Sequence, residues 1–357
     1  MSDQQRSPQS LRLENLPYEI LAFIGSYLDP KSATSLATTS TKLQPHAEGR
    51  LWERLSVQSR DFVPADLNDP VCPPAVVVEG TTHTPLHRHD TSHDQGYTSA
   101  LLLGKIIRDF NAKLDRFPWR AGMVRSLDLS LRHTVPSELV YLFARLSGSL
   151  KELHISMPHS AMVIPEIATY VPLTQVFSSV AAPFASLQLV RMRLQLEPGK
   201  LLGGLLSAAP RLKHLHLHNR YSPRLDGAGH VDPVLEGPRL LKATMLESLT
   251  VDHPATITTL LSALVIRSPT LRGVSLIDHT FTWSPSPRDA LLSAVGSLET
   301  LTCLEIPCIA VSRLPDGFRN IQHATITWNA EALLQRDAAV SRRAPSWVTY
   351  RTICPDM

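Results

Sequence analysis

Two groups of histidines, in two places, are the residues of this sequence that are best suited, by type and spacing, to metal binding or other chemistry. The first place is a predicted strand that holds His214, His216 and His218. Imidazole nitrogens bind zinc and other transition metals, so a metal site is one interpretation. Alternate residues of a strand lie about 6.6–7 Å apart on one face, so three imidazoles cannot converge on one ion unless the strand bends. The spacing therefore favours a recognition surface that responds to pH through its imidazoles.

The second place is a segment in which four histidines, His83, His87, His89 and His93, accompany Asp90 and Asp94. These side chains are metal ligands in type. Five prolines between positions 64 and 85 interrupt the surrounding sequence, however, and only the valines at 76–78 are apolar in succession. A metal site needs a scaffold that holds its ligands in place. We therefore interpret residues 57–97 as a Pro/His-rich linker or surface loop that binds no metal.

Cysteines and catalytic motifs give no support to an enzyme. The four cysteines are scattered, and Cys303 and Cys308 lack the second pair that a zinc site of this kind needs. The sequence contains no Gly-x-Ser-x-Gly, no phosphate-binding glycine loop and no His-Glu-x-x-His. We expect no catalytic residue and no cofactor. A metal-binding or enzymatic protein that uses the histidine-rich strand stays open as the weaker alternative.

The composition is that of a folded and mildly basic protein. The 357 residues include 35 basic and 32 acidic side chains, for a net charge of +3, and 43% of them are hydrophobic. No Lys/Arg cluster is large enough to indicate nucleic-acid binding. No run of about 18 apolar residues predicts a membrane span, and residues 1–15 lack the apolar segment of a signal peptide. We expect a soluble protein of the cytoplasm or nucleus, with residues 1–12 as a disordered tail.

A repeated unit underlies the predicted strands. The pattern Leu-x-x-Leu-x-Leu, or an apolar equivalent, recurs eight times, and amphipathic runs at residues 138–146, 199–208, 257–266 and 289–295 predict helices between copies. One strand with one helix cannot bury its apolar face alone, so neighbouring units must stack. We predict an irregular leucine-rich-repeat domain over residues 98–330, with a curved parallel sheet, a first helix from about 99 to 117, and a C-terminal cap over 331–357. An ordinary α/β domain is the alternative. The fourth positions of the copies are Leu127, Leu153, Val190, Leu215, Leu249, Val274, Leu304 and Ala324.

Residues that alternate with the core leucines are predicted to line the concave side of this array. They are polar and of both charge signs, which suits a protein or peptide partner. Two inserted loops, residues 219–231 and 280–288, add binding-type side chains at Tyr221, Arg224, Phe281 and Trp283, although Phe281 or Trp283 could equally pack into the core edge. The candidate substrate-binding residues of the strands are His154, Arg191, Arg193, His214, His216 and His218, among neighbours Asp128, Glu152, Thr250, Asp252, Ser275, Glu305, Thr325 and Thr327.

Before these repeats, residues 16–55 predict three short helices. Leu16, Ile20, Ile24 and Leu28 form an i, i+4 row, while Phe23 and Tyr27 lie off that row. Asp29-Pro30 ends the first helix and starts the second, and Ser40 or Thr41 can cap a third. A unit this small with spare apolar surface usually has a partner.

The ordered set Leu-Pro-x-Glu-Ile-Leu at 16–21, then Ile24, Tyr27-Leu28, a Ser/Thr-Lys turn, Leu51-Trp52 and Leu55 resembles an F-box. An F-box docks on the Skp-type adaptor of cullin-RING ubiquitin ligases. We therefore identify residues 13–56 as an F-box, the alternative being a three-helix cap on the following domain. The resemblance implies adaptor binding by Leu16, Pro17, Glu19, Ile20, Leu21, Ile24, Leu28, Leu36, Leu51 and Trp52.

With its repeats, the whole chain resembles the F-box/leucine-rich-repeat family. That resemblance implies an α+β protein that is a non-catalytic substrate receptor of a Skp–cullin–F-box ubiquitin ligase. Its partners would be the adaptor, through it a cullin, and a substrate protein, without nucleic acid or membrane. A scaffold that binds the adaptor but acts outside the ligase is the alternative.

Overall fold

The computed structural model describes residues 13–57, 92–131, 134–156, 170–180, 182–194, 198–219, 244–277, 285–307, 321–329 and 348–353. After a short 3-10 turn at Leu13–Asn15, the chain forms α1 (Tyr18–Tyr27), α2 (Pro30–Thr39) and α3 (Gln44–Glu53). The Asp29 carboxylate accepts the backbone N–H groups of Lys31 at 2.9 Å and Ser32 at 3.0 Å. The predicted cap with proline at the first helical position is therefore confirmed.

The third helix continues without a break into a parallel sheet, to which the described residues contribute ten strands. Every neighbouring pair of strands is parallel, and the strand order in the sheet is the order along the chain. Two further short strands form a separate antiparallel pair. The strands are β1 (Arg54–Val57), β2 (Ser126–Ser130), β3 (Thr134–Pro136), β4 (Glu152–Ser156), β5 (Tyr170–Pro172), β6 (Leu189–Leu194), β7 (His214–Asn219), β8 (Ser248–Asp252), β9 (Gly273–Ile277), β10 (Cys303–Pro307), β11 (His323–Asn329) and β12 (Val348–Ile353), of which β3 and β5 form the antiparallel pair.

Helices alternate with most of the strands, as the amphipathic runs predict. The predicted helix at residues 138–146 agrees with the structure at both ends, and the other predicted helices between copies agree within a few residues. None of the helices in the described ranges is long and apolar enough to cross a membrane. The helices after the first three are α4 (Ser92–Arg116), α5 (Glu138–Leu146), α6 (Leu173–Ser179), α7 (Pro198–Ala208), α8 (Thr258–Ile266) and α9 (Pro285–Gly296), with 3-10 turns at Pro118–Met123 and Pro254–Ile257.

The core lies on one face of the sheet. Alternate strand residues such as Leu127, Leu153 and Leu215 are buried in a single cluster with apolar residues of the helices, such as Phe143 and Phe177. In all eight predicted copies of the repeat, the fourth and sixth positions lie in a strand, and the first position lies two residues before that strand. The other alternate residues point to the opposite face, which we call the polar face. The polar face comprises the strand positions that alternate with the core: residues 54, 56, 126, 128, 152, 154, 156, 189, 191, 193, 214, 216, 218, 248, 250, 252, 273, 275, 277, 303, 305, 323 and 325.

One hydrogen-bond arrangement recurs at the start of successive strands. The carbonyl oxygen of Arg125 accepts two consecutive N–H groups, from Lys151 at 2.8 Å and Glu152 at 2.9 Å. The carbonyl of Lys151 repeats this with the next strand, and the arrangement continues along the sheet. Each unit is therefore joined to its neighbour in the same way. The carbonyls that accept such a pair are those of Arg125, Lys151, Gln188, Lys213, Glu247, Arg272 and Thr302.

The structure places two borders differently from the sequence analysis. Residues 54–57 form a strand that pairs with β2, although 13–56 was predicted as the helical module alone. Helix α4 begins at Ser92, inside the predicted linker 57–97. The histidine-rich positions 83–90 lie outside the described residues, as do the tail 1–12 and much of the predicted cap, while residues 348–353 add the tenth strand. Curvature of the sheet stays a prediction.

Candidate functional site

The three-helix module is held together by a close approach between α1 and α3. Leu21 is only 7% exposed, and Gly25 is buried beside it. A Cβ atom at Gly25 would lie 2.7 Å from the carbonyl oxygen of His46, closer than such atoms approach. The Arg50 Nε donates to the carbonyl oxygen of Leu28 at 3.2 Å and fixes the end of α1. This side of α1 therefore faces inward.

The opposite side of α1 carries large apolar side chains in the open. Ile20 is 46% exposed, Phe23 60% and Tyr27 75%, and their i, i+3, i+7 spacing places them on one stripe. Ile24 is half-buried at the border of that stripe. The Phe23 and Tyr27 rings contact edge to face, with centroids 4.9 Å apart. We call Ile20, Phe23, Ile24 and Tyr27 the apolar stripe; a contiguous exposed patch of this kind is typical of an interaction surface.

The structure divides the predicted adaptor-binding residues into three groups. Leu21 packs inside the module, because it lies on the inward side of α1 with Gly25, so it offers little surface to a partner. Phe23 and Tyr27 take its place on the surface, and the signal for them was their position off the i, i+4 row. Among the other predicted residues, Pro17, Glu19 and Ile20 are exposed, while Leu16, Ile24, Leu28, Leu36, Leu51 and Trp52 are half-buried.

Trp52 lies at the junction between the helices and the sheet domain. Its ring packs on Phe110 of α4, with centroids 5.3 Å apart, and the Arg120 guanidinium lies 4.9 Å from its centre. Arg120 also binds Glu48 with two hydrogen bonds, Nε to Oε2 at 3.0 Å and Nη2 to Oε1 at 2.8 Å. Glu48 is 6% exposed and accepts a further bond from Gln44 at 2.6 Å. This buried ion pair, together with the direct passage from α3 into β1, joins the two parts firmly.

On the polar face, strand register brings the predicted binding residues into rows. His154 of β4, Arg191 of β6 and His216 of β7 are neighbours in one row, with Asp128 of β2 next to His154. In the next row, Arg193 pairs with His218, and His218 with Asp252 of β8. His214 lies in a third row beside Leu189. Six of the nine predicted candidates are therefore close together.

The Asp252 carboxylate lies close to two of the three alternating histidines. Its Oδ2 atom is 2.9 Å from Nδ1 of His218 and 3.5 Å from Nε2 of His216, the second being an ion-pair distance and not a hydrogen bond. Burial raises the pKa of Asp252, but the two imidazoles outweigh burial, so the net pKa lies well below its ordinary value. The His218 ring also meets His253 edge to face at 5.8 Å. Asp252 is therefore an ionised carboxylate already occupied by imidazoles.

Burial shifts the pKa of two groups, Asp128 and His154, in the row that also contains Arg191 and His216. It raises the pKa of Asp128 above its ordinary value. It also lowers the pKa of His154, and the Arg191 guanidinium lowers that pKa further. Both shifts favour the neutral form. Arg191 itself is exposed and makes no hydrogen bond or ion pair with any other residue that the structure describes.

A metal at these histidines finds no support in the geometry. Within the described ranges, no group of three or more His, Cys, Asp or Glu side chains is arranged to hold an ion. His216 and His218 meet at a carboxylate, and His214 lies one row away. The loop candidates Tyr221, Arg224, Phe281 and Trp283 lie outside the described residues.

Comparison with protein families bears on the helical module. Residues 13–58 match the model of the family described as F-box-like, a range that includes α1 to α3 and β1. A search of curated proteins gave no match to the chain. F-box domains are generally non-catalytic modules that bind Skp-type adaptors. The module at residues 13–58 is F-box-like, and this supports an adaptor-binding role within a Skp–cullin–F-box assembly.

Proposed function

We propose that this chain is the substrate receptor of a Skp–cullin–F-box ubiquitin ligase. The apolar stripe would dock on the Skp-type adaptor, and the polar face of the sheet would hold a substrate protein. The observation that carries the proposal is the exposed stripe on a module that matches the F-box-like family. Ubiquitin transfer belongs to other subunits, and this chain contributes proximity. The proposal includes a cytoplasmic or nuclear location.

The stripe has the properties of an adaptor-docking surface. Full burial of a large apolar side chain contributes about 1.5–3 kcal/mol. Burial of the exposed parts of Ile20, Phe23 and Tyr27 would therefore supply a substantial share of the free energy of an interface. Pro17 and Glu19 are exposed at the N-terminal end of α1, next to Ile20, and can lie at the rim of the docking interface. Leu21 and Trp52 act in this proposal through the fold of the module and its junction.

The sheet domain is proposed to be a leucine-rich-repeat array. Three observations support this: strand order equal to chain order, one shared core face, and the carbonyl arrangement that recurs from Arg125 to Thr302. A doubly wound sheet reverses its strand order at a switch point, and no such reversal occurs among the described strands. An array of stacked units presents an extended face for a partner.

The junction between the F-box-like helices and the sheet would hold the apolar stripe and the polar face in a constant orientation to each other. A substrate held on the polar face can be modified only if it is presented in a constant direction relative to the adaptor. The Glu48–Arg120 pair and the passage from α3 into β1 supply that constancy, since both connect the F-box-like helices to the sheet without a free linker.

Co-expression with a Skp-type adaptor and a cullin tests the proposal. We expect the full chain to co-elute with the adaptor alone and to form a three-protein complex when the cullin is added. A complex with the adaptor that never accepts the cullin would favour a scaffold outside the ligase. Absence of the adaptor from a folded chain would refute both functions.

A further inference from the structure

The centre of the polar face is basic and lies on three neighbouring strands. The strands β4, β6 and β7 place nine residues on this face, of which six are arginine or histidine and one, Glu152, is acidic. We call these six the basic centre. The basic centre is His154, Arg191, Arg193, His214, His216 and His218.

Arg191 is the member of the basic centre that is best placed to bind a ligand. It is exposed, it lies in register between His154 and His216, and it forms no hydrogen bond or ion pair with another described residue. The Nε2 atoms of His154 and His216 are buried and also have no hydrogen-bond partner among the described residues. A guanidinium between two such rings is poorly compensated and is a natural point of attachment for an anion.

The nearby carboxylates leave this charge uncompensated. Asp252 is occupied by His216 and His218. Asp128 lies two strands from Arg191, with His154 between them, and burial disfavours its charged form. Glu152 is one row away from Arg191, in register with Leu189. The uncompensated positive charge is therefore confined to the strands between Asp128 and Asp252, which is room for a short acidic segment and not for a long one.

We propose that the basic centre binds a short acidic segment of a partner protein, in extended form, with an Asp or Glu carboxylate on the Arg191 guanidinium. Three strands span about 10 Å, and same-side residues of an extended peptide are about 6.8 Å apart, so two carboxylates fit over the centre. The argument is charge complementarity on an unpartnered sheet face. This inference rests on the proposed function, because it names the chemical class of substrate that the polar face would hold.

Selection from a library of random dodecapeptides tests this proposal without assuming a sequence. The baits are the full chain as wild type, Arg191→Gln and Arg211→Gln, each purified after co-expression with the Skp-type adaptor. Arg211 is the matched control, since it is exposed in the turn before β7 and forms no hydrogen bond or ion pair with another described residue.

We expect wild type and Arg211→Gln to enrich peptides with two or more Asp or Glu within about five residues, and Arg191→Gln to lose that enrichment. For the best peptide, fluorescence anisotropy should show at least tenfold weaker binding after Arg191→Gln or after Glu→Gln in the peptide. Arg211→Gln should stay within twofold.

Enrichment without acidic residues, no enrichment at all, or equal losses for the two arginine variants would overturn the inference. Adaptor in the same purified samples reports the proposed function separately. If the adaptor is present and acidic peptides are not selected, only this inference fails; if the adaptor is absent, the proposed function fails, and the peptide result stands on its own.

Discussion

The apolar stripe of α1 and the polar face of the sheet are built on opposite principles. The stripe exposes Ile20, Phe23 and Tyr27, while the polar face presents ionisable groups such as Arg191 and the His218–Asp252 pair. Apolar burial is non-directional and involves no charge that dilute salt could screen. Attraction between charges depends on salt and protonation. The difference indicates that a permanent partner suits the first surface and a selected, exchangeable partner suits the second.

The largest expected effect concerns the junction that makes the two surfaces one unit. Arg120→Met would leave Glu48 buried without its partner, and removal of one member of a buried pair costs about 3–5 kcal/mol. Urea unfolding followed by circular dichroism measures this loss. Lys213→Met is the matched control, because the Lys213–Glu247 pair at 2.8 Å lies at the surface and should contribute little. Equal stability of the two variants would show that the junction is not a structural link.

The next largest effect is expected from a substitution on the inward side of α1, opposite the apolar stripe. Gly25→Ala places a Cβ against the backbone of α3, and overpacking of this kind costs about 1–3 kcal/mol. We expect a lower melting temperature and weaker adaptor binding. Gly49→Ala is its control in α3, since nothing lies within 4 Å of a Cβ there. That substitution should leave binding unchanged and stabilise the helix slightly; a loss equal to that of Gly25→Ala would refute the close-approach explanation.

Salt should distinguish the two surfaces directly. Between about 0.05 and 0.5 M NaCl, we expect adaptor affinity to change less than about threefold, since the stripe carries no charge. Binding of an acidic peptide to the polar face should weaken by about tenfold or more over the same range. Isothermal titration calorimetry measures the first and anisotropy the second. Equal salt dependence would contradict the assignment of two different kinds of surface.

The smallest effect is a pH dependence of stability from His154. Burial, and then Arg191, lower its pKa below the ordinary 6.5 of the unfolded chain. The unfolded state therefore binds the proton of this imidazole more readily than the folded state does. The free energy of unfolding is unaffected by His154 above pH 6.5 and decreases as the pH falls below 6.5. Wild type should lose more stability between pH 7.5 and 5.5 than His154→Asn, by less than about 1 kcal/mol. Melting curves at both pH values measure the difference, and identical losses would show that His154 does not contribute.

Much of the fold was predictable because it depends on local periodicity. The recurring apolar pattern placed β2, β4 and the strands from β6 to β11, and the helix predicted at about 99–117 ends within one residue of the end of α4 at Arg116. The strand β1 was missed, because it has four residues and follows α3 without any turn signal. Leu55 was therefore interpreted as the end of a helix.

The site was less predictable, because its contacts join distant parts of the chain. Glu48 and Arg120 are 72 positions apart, and His218 and Asp252 are 34 apart. Strand alternation predicted that the histidines share a face. It could not predict that His216 and His218 would both lie beside the Asp252 carboxylate. That contact depends on the register between β7 and β8, and the long connection between these strands does not fix the register.

The most direct test of the central claim compares adaptor binding by wild type, Ile20→Asp and Ile266→Asp. Ile20 is 46% exposed on the stripe and Ile266 is 67% exposed at the end of α8, so neither change should unfold the chain. A charge buried in an interface costs several kcal/mol. We predict that Ile20→Asp weakens adaptor binding by about a hundredfold or more, and that Ile266→Asp leaves it unchanged. If the folded Ile20→Asp variant binds the adaptor as wild type does, the apolar stripe is not the docking surface and the account fails.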